Sequence, residues 1–496
     1  MRTGNLAEAI LNSPASAGDT AIFFEGGSTT HGHLRKKINS LAASLRRAGV
    51  GPGVHVALVF PNVPDFVFSY FAVLAAGGVV VPVNPLFKPY EMKYILSHSD
   101  ARLVLYSRFF ENTVKKSVSK EVLLADELVL SQWMEKDEEF TPTPREKNDL
   151  AVIMYTSGTT GRPKGAMLSH GNLLADSEAV IEGLKLERED VMLTVLPLFH
   201  SFGAMVGMIS PLRRGARTAL VPRFTPEAVI KAIKQYGATV FPAVPPMFAL
   251  LNRVKDISRQ DLPSLKYCIS GGAPLPLEVM EEFERKFGVP IYEGDGPTEC
   301  SPVTSVNPIG GKRKPGSIGL PVKNVEMEIA DEEGNFLPPG QIGEIVVRGP
   351  NVFLGYYKDP QATKEAFFGD WFRTGDLGKK DEEGYFYIVD RKKDMIIVDG
   401  LNVYPREVEE LLYRFPQVAE AAVVGKPHPL HGEIPVAFVS LKDRSGWDEA
   451  RVRKYLRKHL AQYKIPRQFY ILDSLPKTPT GKISKVELRR RLENNL

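Results

Sequence analysis

The first three hundred residues alternate short apolar runs with segments whose apolar residues recur at helical spacing. A helical segment at 34–48 ends at the glycine-rich run 49–53, and an apolar strand follows at 54–60. The alternation continues with strands predicted at 79–83, 102–106, 191–196, 239–243, 265–270 and 290–293, and helices at 66–76, 90–97, 172–184 and 226–236. Because parallel strands need long crossover connections, this order predicts an α/β fold built on parallel sheets.

A loop of glycines and hydroxyls follows the apolar run 150–154. It spans 155–165 and contains three glycines, four Ser or Thr hydroxyls and Lys164. Glycines let the backbone come close to a ligand, and N–H and O–H groups bind oxyanions, so the composition suits a phosphate-binding loop. The spacing differs from the common nucleoside-triphosphate loop, because Pro163 stands where that loop has its second glycine. An ordinary turn has the same composition, and the loop alone leaves both interpretations open.

Other strands end in loops of a similar kind. The strand at 265–270 runs into Gly271-Gly272-Ala273-Pro274, and the strand at 290–293 runs into the segment 294–299. In open parallel sheets, ligands bind at the carboxyl ends of the strands. We therefore expect these loops to meet at one crevice.

The character of the chain changes in its last third. Short strands at 325–330 and 343–348 alternate with turns, which predicts a small antiparallel β subdomain. A charge cluster at 390–394 then precedes about a hundred residues with helices and strands of their own. A chain of 496 residues is too long for one compact core. We predict a large N-terminal domain of parallel α/β subdomains plus a small β subdomain, followed by a small α+β C-terminal domain.

The overall composition excludes several classes of protein. A net charge of +4 from 63 basic and 59 acidic residues gives no basis for nucleic-acid binding. Two cysteines exclude a disulfide framework and fit a reducing compartment. The apolar stretch 66–83 contains Ser69, two glycines and Pro82, so we predict a core helix and strand rather than a membrane span. We expect a soluble, cytoplasmic protein without an integral membrane segment; peripheral membrane contact is left open, as is the choice between monomer and homodimer.

Five separated segments occur in the order known from one enzyme superfamily: 155–165, 294–299, 371–376, 390–405 and 476–482. Together they resemble the adenylate-forming superfamily of acyl-CoA synthetases, peptide-synthetase adenylation domains and firefly luciferase. The resemblance implies that a carboxylic acid and ATP form an acyl-adenylate and pyrophosphate. A thiol, usually that of coenzyme A, then displaces AMP. The residues within these motifs are most similar to those of bacterial fatty-acid–CoA ligases.

The resemblance assigns roles to individual residues around the nucleotide. Glu299 matches the ligand of Mg²⁺, a hard cation that prefers carboxylate oxygen, and Thr298 matches the threonine at the α-phosphate. Asp376 and Arg391 match the pair at the ribose hydroxyls, although an aspartate in a Thr-Gly-Asp turn is also a common turn former. The full set implied for ATP is Thr156, Ser157, Gly158, Thr159, Thr160, Lys164, Gly271, Gly272, Ala273, Pro274, Asp295, Gly296, Thr298, Asp376, Arg391 and Lys482.

Lys482 matches the catalytic lysine of the superfamily. A positioned ammonium offsets the repulsion when a carboxylate attacks a phosphate. Lys393 lies at the position of the superfamily's hinge, about which the C-terminal domain turns between the two steps. Gly400 and Leu401 lie where other members line the coenzyme A tunnel. These matches imply a domain at 1–390, a hinge at 391–393 and a mobile domain at 394–496.

The resemblance also indicates a pocket for the acid. His200 matches a gate between the acid and the thiol tunnel, and the remaining predicted pocket residues are Gly203, Val244, Gly272 and Pro302. The candidate pocket segments are mostly apolar or small and contain no Lys or Arg for a second carboxylate, which predicts an apolar acid. A medium- or long-chain fatty acid is the main hypothesis, with an aryl acid as the alternative. We also expect Cys300 to line this pocket and Cys268 to lie in the core.

Three positions depart from the usual motifs. Asp295 stands where most members have an aromatic residue that stacks on adenine, Pro297 replaces an apolar Met or Leu, and Asp399 replaces a common Ser. None of these changes removes a charge that the reaction needs. Other hypotheses are an adenylation enzyme that loads a carrier protein in trans, a luciferase-like oxygenase and a catalytically silent binding protein; the presence of Lys482 and Glu299 argues against the last.

Overall fold

The structure is a computed structural model that describes residues 4–156, 163–442, 447–478 and 481–493. Its largest sheet is parallel in the centre and antiparallel at both edges. The strands in spatial order are Leu320–Pro321, Ser305–Val306, Ile291–Asp295, Tyr267–Ser270, Val240–Ala243, Val191–Thr194, Arg217–Leu220, Thr20–Phe24 and Gly27–Thr30. The central strands are buried along their whole length, as parallel strands covered on both faces must be.

A second sheet carries the strand that enters the predicted phosphate loop. Its spatial order is Leu123–Asp126, Leu103–Tyr106, His55–Val59, Val79–Pro82, Leu150–Thr156 and Lys164–Ser169. All neighbours are parallel except the last two, which pair antiparallel with Thr156 opposite Lys164. The strands on either side of the loop are therefore antiparallel neighbours, a strand reversal that the predicted parallel sheet did not include.

Helices cover the two sheets, and many begin with a proline in the first turn, where its missing N–H costs no hydrogen bond. The stretch predicted as core forms the buried helix Pro64–Ala75. No helix in the described ranges is both long and apolar enough for a membrane span. The α-helices up to residue 300 are Leu6–Leu11, His31–Arg47, Pro64–Ala75, Pro89–His98, Glu111–Ser117, Glu127–Met134, His170–Gly183, Ser201–Ala204, Ser210–Arg214, Pro226–Tyr236, Pro245–Arg253 and Leu277–Phe287.

The predicted β subdomain is a separate antiparallel sheet. Its strands are Glu326–Ala330, Gly343–Arg348, Trp371–Lys380, Phe367–Phe368 and Phe386–Arg391. The last of these pairs with Trp371–Lys380 and places Arg391 opposite Asp376. The helix Pro360–Glu365 precedes Phe367–Phe368.

The chain passes through the short turn Lys392–Asp394 into a further sheet with its own core. The strands in order are Leu401–Val403, Ile396–Val398, Gly432–Leu441 and Val418–His428, with Gln468–Leu472 parallel to Gly432–Leu441. The helices Pro405–Tyr413, Glu449–His459 and Lys485–Glu493 pack on it. This arrangement of a large α/β part and a smaller α+β part confirms the predicted fold class.

Candidate active site

The carboxyl ends of parallel strands from both large sheets, together with a turn of the C-terminal domain, surround a cavity of about 1040 Å³. The loops 271–274 and 294–299 meet here as predicted, with Thr156 and Lys164 from the two described ends of the loop 155–165. Most of the predicted site residues line it: Thr156, Lys164, His200, Gly271, Gly272, Ala273, Pro274, Asp295, Gly296, Thr298, Glu299, Pro302, Asp376, Arg391, Lys393 and Lys482. Ser157, Gly158, Thr159 and Thr160 lie outside the described residues.

Lys482 enters the cavity from a tight turn of the C-terminal domain. The Thr478 N–H donates to the Lys482 carbonyl at 2.7 Å, and the Gly481 N–H donates to the Thr478 carbonyl at 2.8 Å. The Lys482 side chain then lies against Gly272, which has φ +76°; a Cβ at Gly272 would come within 3.1 Å of Lys482 Cε. Burial and the nearby cation of Arg391 lower the pKa of Lys482 to about 8.

Asp376 and Arg391 form an ion pair on adjacent strands. Arg391 Nε lies 3.0 Å from Asp376 Oδ1, and the Asp376 side chain is almost fully buried. Asp295 lies close to this pair: burial, and then the charge of Asp376, raise the pKa of Asp295. The motif departure at Asp295 therefore places a second acid beside the predicted ribose site rather than an aromatic ring.

Thr298 and Glu299 share the short turn Thr298–Cys300 after the strand Ile291–Asp295. Thr298 Oγ1 lies 3.0 Å from Ser201 Oγ. The Tyr356 hydroxyl donates to Glu299 Oε1 at 2.9 Å. Burial raises the pKa of Glu299. The described side chains contain no group of three or more His, Cys, Asp or Glu that could hold a metal alone. A single carboxylate fits Mg²⁺, which commonly takes its other ligands from substrate phosphates and water.

His200 is the N-cap of the helix Ser201–Ala204, and its Nδ1 accepts the Phe202 N–H at 3.3 Å. Burial and the charge of Lys482 lower the pKa of His200 to about 3. The ring is thus neutral at physiological pH, beside an ammonium, at the cavity wall.

Several predicted residues lie outside the cavity. Gly203 packs against Pro197, whose carbonyl oxygen would be 2.2 Å from a Cβ at Gly203. Val244 lies behind Gly272 and Gly481. Gly400 and Leu401 are exposed on the C-terminal domain. Cys268 is buried in the core as predicted.

Cys300 requires a correction. It is fully buried but does not line the cavity. Burial, and then the nearby acids Glu299, Asp176 and Asp295, raise the pKa of the Cys300 thiol. The turn that follows Glu299 directs this side chain into the protein rather than towards the acid.

Two contacts of the predicted site residues were not foreseen. Tyr356 contacts both Glu299 and Lys164, whose Nζ lies 5.1 Å from the Tyr356 ring centroid. Ser201 contacts Thr298. A tyrosine 57 residues after Glu299 carries no spacing signal in a single sequence, whereas Ser201 lies within 199–207, one of the candidate pocket segments.

Comparison with known proteins decides the family. The family model described as AMP-binding enzyme matches residues 12–357, and the model of the AMP-binding enzyme C-terminal domain matches residues 407–482. The chain belongs to the AMP-binding enzyme family. The predicted membership of the adenylate-forming enzymes is thereby confirmed, and ATP as a substrate follows from it.

Relatives of this AMP-binding enzyme are named for different acids. A long-chain-fatty-acid–CoA ligase of Bacillus subtilis (strain 168) is 37% identical, covering 95% of this chain and 91% of the relative. A feruloyl-CoA synthase of Amycolatopsis sp is also 37% identical, covering 95% and 96%. Acid–CoA ligase chemistry is common to both names, but identity does not choose between a fatty and an aromatic acid.

Solved structures resemble this AMP-binding enzyme in a particular form. ATP-bound MatB from Rhodopseudomonas palustris is 31% identical and superimposes with a TM-score of 0.94 over 100% of both chains. Apo MatB from the same organism, with the same identity and coverage, gives 0.82. The overall arrangement of this enzyme is therefore more similar to the ATP-bound form than to the apo form.

Proposed function

We propose that this enzyme activates an apolar carboxylic acid with ATP and transfers the acyl group to coenzyme A. The first step forms acyl-adenylate and pyrophosphate; in the second, the CoA thiol attacks the acyl carbon and AMP leaves. The observation that carries the proposal is the convergence of Lys482, the Asp376–Arg391 pair and the Thr298-Glu299 turn on one cavity.

In the first step the chain's own residues bring two anions together. Asp376 accepts hydrogen bonds from the ribose hydroxyls, and Arg391 holds that carboxylate in place. Lys164 and the loop before it hold the β- and γ-phosphates. The ammonium of Lys482 and the hydroxyl of Thr298 stabilise the negative charge that develops at the α-phosphate.

Glu299 would hold Mg²⁺ through its carboxylate. When bound, Mg²⁺ neutralises phosphate charge and orients the leaving pyrophosphate. The fit of the site supports this: a buried carboxylate, oriented by the Tyr356 hydroxyl, lines the cavity together with Lys164 and Thr298.

The second step needs a different arrangement of the domains. Lys482 fills the side of the cavity next to Gly272, whereas Gly400 and Leu401 are on the exposed surface of the C-terminal domain. We propose a rotation at Lys393 that withdraws Lys482 and brings Gly400 and Leu401 to the coenzyme A tunnel, past His200 as the gate. The unit boundaries would then be 1–390 and 394–496 around a hinge at 391–393.

For the acid we propose a medium- or long-chain fatty acid. One wall of the cavity is aliphatic, and none of these described side chains carries a charge: Ala179, Val180, Gly183, Leu184, Val206, Val303, Val306, Ile318 and Val322. Gly183 ends the helix His170–Gly183 at this wall, where a Cβ would lie only 3.3 Å from Val306 Cγ1, so a side chain here would narrow the cavity. An aryl acid, and a carrier protein acting in trans as acceptor, are the alternatives.

A substrate panel tests the function. Purified enzyme is incubated with ATP, Mg²⁺ and a series of fatty and aryl acids, with and without CoA, and adenylate and thioester are measured separately. We expect both products with fatty acids. Adenylate without thioester for every acid would exclude the CoA ligase, and a preference for aryl acids would exclude the fatty-acid assignment.

Gly183→Leu tests where the alkyl chain lies. The added side chain should crowd the aliphatic wall next to Val306 and narrow the cavity, so kcat/KM for the longest accepted acid should fall roughly tenfold while a short acid serves as the internal control. An equal loss for both acids would place the chain elsewhere.

A further inference from the structure

Residues 353–357 form an extended strap between the β subdomain and the two elements that carry Glu299 and Lys164. The Phe353 N–H donates to the Glu299 carbonyl at 2.8 Å. On the other side, the Tyr357 N–H donates to the Gly165 carbonyl at 2.8 Å, and the Met167 N–H donates to the Gly355 carbonyl at 3.0 Å. The strap thus bonds through its backbone to the metal-ligand turn and to the strand that begins at Lys164.

The side chain of Tyr356 makes the same connection inside the cavity. Its hydroxyl donates to Glu299 Oε1 at 2.9 Å, and its ring lies under the ammonium of Lys164, 5.1 Å from Nζ to the ring centroid. Phe353 packs on the ring edge at a centroid distance of 4.9 Å and restricts its movement. Neither of the two proposed reaction steps gives Tyr356 a role.

We propose that Tyr356 is a positioning residue that couples the metal ligand Glu299 to the phosphate-binding Lys164; the inference rests on the proposed function. The hydroxyl occupies one carboxylate oxygen and so fixes the direction of the other, which is the role of partners behind metal ligands in general. The ring face attracts the ammonium through a cation–π contact. One side chain therefore sets the relative position of the two groups that would meet the metal–triphosphate.

The two contacts of Tyr356 can be removed one at a time. Tyr356→Phe deletes the hydroxyl and keeps the ring, whereas Tyr356→Leu deletes both contacts. The next residue supplies a matched control: the Tyr357 hydroxyl donates to Asp100 Oδ2 at 2.7 Å, and neither residue lines the cavity. Tyr357→Phe removes an equivalent hydroxyl from the same strap.

The experiment measures binding rather than turnover. Mn²⁺ replaces Mg²⁺, ATP is present, no acid is added, and free Mn²⁺ is followed by electron paramagnetic resonance; ATP binding without metal is measured by calorimetry in chelator. We expect Tyr356→Phe to raise the Kd for Mn²⁺ roughly tenfold and to leave metal-free ATP binding unchanged. Tyr356→Leu should in addition weaken metal-free ATP binding about threefold. Tyr357→Phe should change neither.

Two outcomes would overturn the proposal: an unchanged Mn²⁺ affinity in Tyr356→Phe, or the same change in Tyr357→Phe as in Tyr356→Phe. Failure of the proposed function is a separate result, because the wild-type enzyme would then form no adenylate with any acid of the panel. A wild type that forms adenylate, with variants that bind Mn²⁺ normally, would refute only the role of Tyr356.

Discussion

At the scale of single residues, Lys482 is held in an environment that disfavours its charge. Burial and the neighbouring cation Arg391 lower its pKa to about 8, while Asp295 and Asp376 act in the opposite direction. The reaction needs the protonated amine, because the ammonium stabilises the negative charge at the α-phosphate. The free enzyme should therefore lose its active form as the pH rises through the pKa of this group.

We expect kcat/KM for ATP in adenylate formation to fall above about pH 8, tenfold per pH unit, because this parameter reports the free enzyme. In Lys482→Arg, which stays charged, the decline should move to a much higher pH even if activity is lower. Pyrophosphate release across a pH series measures both. An unchanged alkaline limb in the arginine variant would assign the titration to another group.

Removal of the ammonium should separate the two half-reactions. We expect Lys482→Ala to reduce adenylate formation by about a hundredfold or more and to leave thioester formation from supplied acyl-adenylate largely intact. Exposed Lys454 on the same domain provides a control substitution, Lys454→Ala, that should affect neither step. Equal loss of both half-reactions in Lys482→Ala would contradict the assignment.

Asp295 and Asp376 are neighbouring acids with different expected roles. Asp376 pairs with Arg391, whereas burial and the charge of Asp376 raise the pKa of Asp295. We expect Asp376→Asn to raise KM for ATP roughly tenfold, because a charged hydrogen-bond acceptor is lost. Asp295→Asn should lower KM for ATP about twofold, because a negative charge near the negatively charged phosphates is removed. If KM for ATP rose in Asp295→Asn and fell in Asp376→Asn, the roles assigned to the two acids would have to be exchanged.

At the scale of elements, the strap 353–357 depends on a glycine. Gly355 has φ +123°, and a Cβ there would lie 2.5 Å from Thr363 Cγ2. Gly369 also has positive φ, at +60°, but no atom lies within 4 Å of its Cβ position. Comparing alanine at the two positions therefore separates the cost of steric overlap, which applies only at Gly355, from the cost of positive φ, which applies at both.

We expect Gly355→Ala to destabilise the large domain by about 3 kcal/mol and Gly369→Ala by about 1 kcal/mol. Urea unfolding, followed by fluorescence, measures both. Equal midpoints for the two variants would show that the strap moves freely to make room for the methyl group.

The elements also show what a single sequence can predict. The strands Tyr267–Ser270 and Ile291–Asp295 lie in short, largely apolar runs of the sequence, from which their burial in a parallel sheet was predicted. The hairpin return at Lys164 was not predicted, because the strand Lys164–Ser169 is short and has no alternating pattern. Lys482 and Asp376 were predicted because each lies in a recognisable motif. Tyr356 was not predicted, because its contact with Glu299 depends on how the distant strap 353–357 folds, and no local sequence pattern indicates that contact.

At the scale of the whole molecule, the position of the C-terminal domain places Lys482 in the cavity. Gly481 lies next to Val244 of the large domain, where a Cβ at Gly481 would be 3.5 Å from Val244 Cγ2. Because side chains at the two positions would be in contact, cysteines there are candidates for an engineered disulfide between the domains. The native Cys268 and Cys300 are both buried and free, so they should not interfere.

We expect the oxidised double variant Val244→Cys, Gly481→Cys to form adenylate but to make thioester from supplied acyl-adenylate at least about tenfold more slowly than the same protein after reduction. Half-reaction assays with and without dithiothreitol measure this. Thioester formation at equal rates in both redox states would mean that the domains need not separate.

The crowding of Arg391, Lys393 and Lys482 has a consequence for the order of events. Arg391 and Lys393 both act to lower the pKa of Lys482, so the closed cavity holds like charges that repel one another. ATP is the counter-ion that makes this arrangement favourable, and pyrophosphate carries most of that negative charge away when it leaves. We expect the departure of pyrophosphate to release the C-terminal domain from the cavity. The chemical step would then determine when the conformational change occurs.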